Sequence, residues 1–127
     1  MACLRGRTPG VGLAGLIWRG EIYDVDLGRP IGREPAFTRP AVVVSSDLLN
    51  NSVGNLVVVV PIGSMSYGLR SHTEIVPGPS SGLDHVSYAR CDQVRVISTE
   101  RIVSKAGVAA LHEIHAIDQA LRLILDL

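Results

Sequence analysis

The sequence predicts an α+β protein: a small, strongly twisted antiparallel sheet or barrel with a C-terminal amphipathic helix laid against it. Three observations carry this. Apolar and alternating runs with strand character dominate residues 19 to 98. After them, Val108, Leu111, Ile114, Ile117, Leu121 and Ile124 recur at spacings of three and four, the period of a helix with one apolar stripe. Finally, 46% of the 127 residues are hydrophobic but only 4% are aromatic, so a single-domain core must come from Val, Ile and Leu, a β-leaning mixture.

Taken in order, "RGEIYDVDLG" (19 to 28) is close to period two and predicts a half-buried strand. "RPIGREPAFT" (29 to 38) is loop, set by Pro30, Gly32 and Pro35. "RPAVVVSSD" (39 to 47) is a buried strand, and "LLNNSVG" (48 to 54) a turn or single helical turn. "NLVVVVPIGS" (55 to 64) is the most apolar strand, with Pro61 near its end. A loop over 65 to 71 leads to a strand over 72 to 77 and a turn-rich connection over 78 to 84. "HVSYARCDQVRVIS" (85 to 98) holds one or two strands. The terminal helix is predicted over 108 to 125.

Composition narrows the function classes. The formal net charge is zero, so the strongly basic balance of a general nucleic-acid binder is absent. Arginine nevertheless supplies 11 of the 12 basic residues, with Lys105 the one lysine. Either Arg is favoured by codon usage, or planar bidentate partners such as phosphate are in play. The two cysteines, Cys3 and Cys91, form no CxxC or Cys/His pattern, and no disulfide is expected. His112 and His115 lie three apart on the helix without an evident third ligand, so neither a metal nor another cofactor is expected. No segment is long enough to span a membrane. "MACLRGRTPGVGLAGLIW" is interrupted by Gly and Pro and lacks the apolar run of a signal peptide. Residues 1 to 17 are therefore read as a poorly ordered extension, 18 to 127 as the folded domain, and a cytoplasmic location is expected.

No Ser-His-Asp order, P-loop or dinucleotide glycine pattern appears. Three strand-end stretches remain as candidates. In the first, Arg29, Arg33 and Arg39 outnumber Glu34, and Arg39-Pro40 stands at the mouth of a core strand. That arginine is either a strand-edge charge paired with Glu34 or a group held rigidly to grip a phosphate with two parallel hydrogen bonds. In the second, a core strand ends in Pro61-Ile62-Gly63-Ser64, which is either a plain turn or a set of free amides and a hydroxyl suited to an anion. The third, "RCDQ" (90 to 93), is polar and sits beside a β-run.

Together these stretches resemble the MazF/PemK toxins of bacterial toxin–antitoxin systems, from about Arg19 to Leu127. "RGEIYDVDLG" is similar to the family's opening strand. "GREPAFTRPAVVVSSD" matches its next motif without a gap at Gly32, Glu34, Arg39 and Pro40. "VVVVPIGSMSYG", "CDQVRVIS" and "IDQALRLILDL" follow in the family's order. The resemblance implies a small barrel of the PemK/CcdB-like kind with a C-terminal helix, usually a homodimer. It also implies a metal-independent endoribonuclease that cuts single-stranded RNA at short sequences, leaving a 2′,3′-cyclic phosphate and a 5′-hydroxyl, and so inhibits translation and growth. A cognate acidic antitoxin would cover the site, folding as it binds.

Arg39 falls on the family's catalytic arginine, and Glu34 on a position that orients it or contacts RNA. The family's catalytic threonine position holds Gly63 here, and the hydroxyl moves to Ser64. Either the Ser64 hydroxyl or the Gly63 amide would then serve the reacting phosphate, or activity would be reduced. Arg29 and Arg33 would line the RNA path, with Phe37, Tyr67 and Arg70 as platforms for splayed bases. The alternatives are a gyrase-poisoning toxin of the same barrel, like CcdB, which would not need Arg39, and a catalytically weak protein-binding barrel.

Overall fold

The computed structural model describes residues 16–35 and 37–127. The expected N-terminal extension thus lies outside the described residues, apart from Leu16 and Ile17. Ile17 is buried at 3% exposure, and the Asn51 side chain bonds both its N–H and its C=O at 3.0 Å. The folded part therefore includes Ile17.

Seven strands and two helices follow in the order β1 (Glu21–Asp26), β2 (Thr38–Val43), α1 (Asp47–Asn50), β3 (Leu56–Gly63), β4 (His72–Ile75), β5 (Ser87–Arg90), β6 (Arg95–Ser98), β7 (Ile102–Val108) and α2 (Leu111–Leu125). Every pairing is antiparallel, and neighbours run β4-β5-β3-β2-β1-β7. β3 is the shared strand: its first half pairs with β6 and its last residues, Ile62 and Gly63, pair with β5. The stretch 85 to 98 is accordingly two strands, separated by a 3-10 turn over Cys91–Gln93.

The unbroken apolar runs of β2 and β3 have a simple cause: the strands are buried on both faces. Tyr23, Val25, Ala41, Val43, Val57 and Val59 pack with Ile97 and Ile102 on one side. Ile22, Val42, Val60, Ile62, Ile75 and Ala89 pack on the other, where α2 adds Ile117 and Ala120.

The expected barrel takes the form of one curled sheet whose two ends meet through a connection. Val108 N–H donates to Ser80 C=O at 2.8 Å, so the β4–β5 connection reaches β7. Gly82 and Gly107 sit at this contact because a Cβ at either would collide with the facing backbone.

Two corrections concern the C-terminal third. The sequence reading has no strand at β7, whose burial is confined largely to Ile102. Val108 ends that strand instead of opening the helix, and Leu111 is 85% exposed. The buried stripe of α2 is centred on Ile117 and Ala120, flanked by Ile114, Leu121 and Ile124. Glu113 starts the helix: its carboxylate accepts from Ala110 N–H at 2.9 Å and from Val76 N–H at 2.7 Å, tying α2 to the end of β4. Arg19, at the head of β1, is ion-paired with Asp118 of α2 and donates to Val44 C=O at 3.0 Å.

Candidate active site

Arg39 lies in β2 opposite Val25, with its side chain exposed. Ala41 pairs with Pro61 across β2 and β3. Arg39 and Gly63 each lie two residues beyond that pair, in the same direction, so the pleat puts them on one face. Across the other edge of β3, Ile62 pairs with Ala89 and Gly63 with Tyr88. Ala89 faces the α2 side, so Arg90 points to the face of Arg39. His72 of β4 is the cross-strand partner of Arg90. Four neighbouring strands thus present Arg39, Gly63, Arg90 and His72 on one face.

Glu34 does not hold Arg39. Its carboxylate accepts from the Ile31 N–H at 3.0 Å, the nearer donor within its own turn. Among the described residues, no carboxylate lies within ion-pair distance of Arg39. The loop carrying Arg29 and Arg33 is closed at its neck, where Leu27 N–H donates to Phe37 C=O at 2.8 Å and Phe37 N–H to Gly28 C=O at 2.7 Å. Phe37 has φ 55°, a left-handed conformation unusual for a bulky side chain, and its ring is 64% exposed. Such a geometry persists only where the surrounding structure imposes it.

Ser64 is exposed immediately after β3, whereas Gly63 is buried. What covers Gly63 is the guanidinium of Arg90: a Cβ at 63 would lie 2.5 Å from Nη2, 2.6 Å from Cζ and 2.7 Å from Nε. The Tyr67 ring faces the same guanidinium, with Cζ 5.5 Å from its centroid. His72 meets Tyr67 edge-on at 5.9 Å, and its Nε2 is 3.1 Å from Asp92 Oδ1. Arg33, Tyr67, His72, Arg90 and Asp92 line a cavity of about 300 Å³. Arg70 does not line that cavity: with His115, Gln119 and Arg122 it lines an open cleft of about 910 Å³ between β4 and α2, and His72 borders both.

Of the predicted residues, the structure therefore brings Arg33 and Tyr67 to one cavity, places Gly63 beneath the Arg90 guanidinium that lines it, sets Arg39 on the same sheet face, and puts Arg70 in the adjoining cleft. Arg90, His72 and Asp92 were not among the predicted site residues, although "RCDQ" was a candidate stretch. The strongly displaced acidities belong to the core. Burial chiefly pushes the Cys91 thiol up to about 11. Tyr23 is raised by burial and by Glu21, to which its hydroxyl donates at 2.7 Å.

A curled antiparallel sheet packed against one helix, with cationic side chains on the face away from that helix, defines a small α+β domain. The chain belongs to the PemK-like, MazF-like toxins of type II toxin–antitoxin systems, whose family profile matches residues 18–125. It is 36% identical over 113 residues to the endoribonuclease MazF9 of Mycobacterium tuberculosis, covering 86% of this chain and 96% of the relative. To the endoribonuclease EndoA of Bacillus subtilis it is 26% identical over 113 residues, covering 88% and 97%. The crystal structure of MazF from Deinococcus radiodurans has the same fold, with a TM-score of 0.75 at 19% identity over 89% of this chain and 99% of that one. So does an endoribonuclease solved with its cognate antitoxin from a mycobacterial species, with a TM-score of 0.71 at 22% identity over 87% and 96%.

Proposed function

We propose that this protein is the toxin of a type II toxin–antitoxin system and cuts single-stranded RNA without a metal. The observation that carries the reading is Arg39: in a chain of this family, it stands exposed and, among the described residues, without an ion-pair partner on the rigid mount of β2, in line with the end of β3. A 2′-hydroxyl attacks the adjacent phosphorus, the 5′-oxygen leaves, and a 2′,3′-cyclic phosphate remains. Charge builds on the non-bridging oxygens of the phosphorane, where preorganised donors act most strongly. Arg39 supplies two parallel donors there, and Ser64 a hydroxyl or its amide. Arg39 is no base, because a guanidinium stays protonated below about pH 12. Arg33, Phe37 and Tyr67 contact the flanking nucleotides by charge and stacking. The protein works in the cytoplasm as a homodimer, and an acidic antitoxin neutralises it by covering the cationic face.

The test is to incubate the purified chain with messenger, ribosomal and transfer RNA in EDTA and to sequence the 5′-hydroxyl ends. Cleavage at a short shared sequence, lost in Arg39→Ala, is the expected result. Intact RNA in every case overturns the reading and leaves a non-nucleolytic toxin.

A further inference from the structure

We infer that the cleft between β4 and α2 is a second anion subsite, in which Arg70 and Arg122 together hold a phosphate of the RNA strand other than the one that reacts. The inference rests on the ribonuclease reading above.

The course of the two elements brings these arginines together. Val76 N–H donates to the Glu113 carboxylate at 2.7 Å, which pins the end of β4 to the start of α2. From that pin the strand leads back toward His72 and the helix forward toward Arg122, and both line the cleft. The two walls match in length, at about 13 Å of strand from Val76 to His72 and about 14 Å of helix from Glu113 to Arg122. Arg122 is therefore level with His72. Arg70 sits beside His72 in a turn, closed where His72 N–H donates to Leu69 C=O at 3.1 Å. Glu74, the one carboxylate side chain among the lining residues described, falls toward the pinned end with His115. The cleft is thus cationic at one end.

Both side chains are exposed, and among the described residues neither has a carboxylate within ion-pair distance. Two guanidiniums at one end of a cleft repel each other, and an anion bound between them relieves the repulsion. Their planar forks suit phosphate or carboxylate. Continuity selects phosphate: His72 lines this cleft and also the cavity of Arg33 and Tyr67, so the cationic end lies next to the face that holds Arg39. β4 is three strand positions from β2, at about 4.8 Å each. The phosphate held here is accordingly not the one that Arg39 serves, but another on the same strand. Ala116 and Leu123 give the cleft an apolar wall against which a ribose or base can lie.

The experiment uses the full chain and three RNAs: one limited to the mapped cleavage sequence, one extended on its 5′ side and one on its 3′ side. Cleavage is measured across a salt series for wild type, Arg70→Gln, Arg122→Gln, the double variant and Arg39→Ala. Melting and sedimentation report fold and oligomeric state. Wild type is expected to prefer one extended RNA over the short one in kcat/KM. The double variant should lose that preference by roughly three- to tenfold, mainly through KM, since exposed charge pairs contribute modestly. Its slope of log kcat/KM against log salt on that RNA should become shallower by about 0.7, the value for one phosphate contact on a single strand. If the double variant melts early, the single variants carry the test. No preference for either extension, a preference changed by less than about twofold, or an equal loss on short and extended RNA overturns the inference. So does a changed sedimentation of the double variant, which marks the cleft as a contact between two copies of the chain. Cleavage of the short RNA by wild type, lost in Arg39→Ala, keeps the ribonuclease reading intact in each of those events. No cleavage by wild type removes both.

Discussion

A single methyl group at position 63 should inactivate the enzyme without unfolding it. In Gly63→Ala the new Cβ would overlap Nη2, Cζ and Nε of Arg90, all within 2.7 Å, and no backbone atom is among the nearest contacts. The far end of a flexible side chain is what must move, so the strand stays and the guanidinium leaves. Replacing glycine inside a strand stabilises by about 0.5–1 kcal/mol through the unfolded chain. Losing the Arg90–Tyr67 contact costs a similar ~0.5–1 kcal/mol. The two nearly cancel. At roughly 3–5 °C per kcal/mol for a chain of this size, the melting temperature should stay within about 4 °C of wild type.

Activity should not stay. If the displaced guanidinium is a transition-state donor, the single-turnover rate falls by about 10²–10³, or roughly 2.7–4 kcal/mol. The two changes strike one contact, so they should not add. Gly63→Ala/Arg90→Ala should be within about threefold of the slower single variant. Melting curves and single-turnover RNA cleavage on the four proteins decide the matter. A Gly63→Ala protein that cuts at the wild-type rate would refute the reasoning. So would a double variant slowed by the product of the two single effects, since that marks independent contributions.

Arg39→Ala should lower the cleavage rate by at least about 10² with no change in melting, because the side chain is exposed and has no ion-pair partner among the described residues; RNA cleavage and calorimetry check both halves. Glu113→Ala should lose about 2–6 kcal/mol, since the Ala110 and Val76 amides, held at 2.9 and 2.7 Å, both lose their acceptor; chemical denaturation measures it. Cys91, with its acidity moved from 9.0 to about 11 by burial, gives a pH signature. Below about pH 9 the thiol is neutral whether folded or unfolded; above it the unfolded thiol ionises first, so stability falls between pH 9 and 11. A Cys3→Ser protein should show this decline, and Cys3→Ser/Cys91→Val a weaker one, with labelling at pH 8 confined to unfolded chain.

The parts of this molecule that were legible in the sequence are those whose causes are local. β2 and β3 announce themselves because both of their faces are buried and the chain reads as one apolar run. The stripe around Ile117 follows from helical period alone. β7 was not legible: its buried contribution is largely Ile102, and its middle, Ser104 to Gly107, carries no apolar alternation. The same division runs through the site. Arg39 stands out beside Pro40 and the run that follows. Arg90 does not, because its meaning lies in an absence on another strand, 27 residues earlier at Gly63. Alternation between buried Ala89 and Cys91 could have set its face, but nothing in "SYARCDQ" says which strand it would cover. Glu34 is the opposite case for one of its two expected roles: its sequence neighbourhood suggested a bond to Arg39, and a closer backbone amide, that of Ile31, takes the carboxylate.

This division bears on how a site of this kind tolerates change. In an antiparallel sheet, side chains on one face at adjacent strands compete for the same volume, and a position can be served from any of the strands that border it. A hydroxyl carried at the end of β3 and a guanidinium carried in from β5 are two ways to put a donor over the same backbone. They are not equivalent. The hydroxyl offers one proton on a short stem, whereas the guanidinium brings a full charge and a rigid fork, and does not release its proton. Moving the donor from β3 to β5 therefore shifts the burden of the reaction from proton handling toward charge stabilisation. The Gly63–Arg90 pair has to change as a unit, because a side chain larger than hydrogen at 63 and a guanidinium over it cannot coexist. Gly63→Thr alone should accordingly be slower than Gly63→Thr/Arg90→Ala, in which the hydroxyl has room. The reverse order would show that Arg90 and position 63 do not share the space.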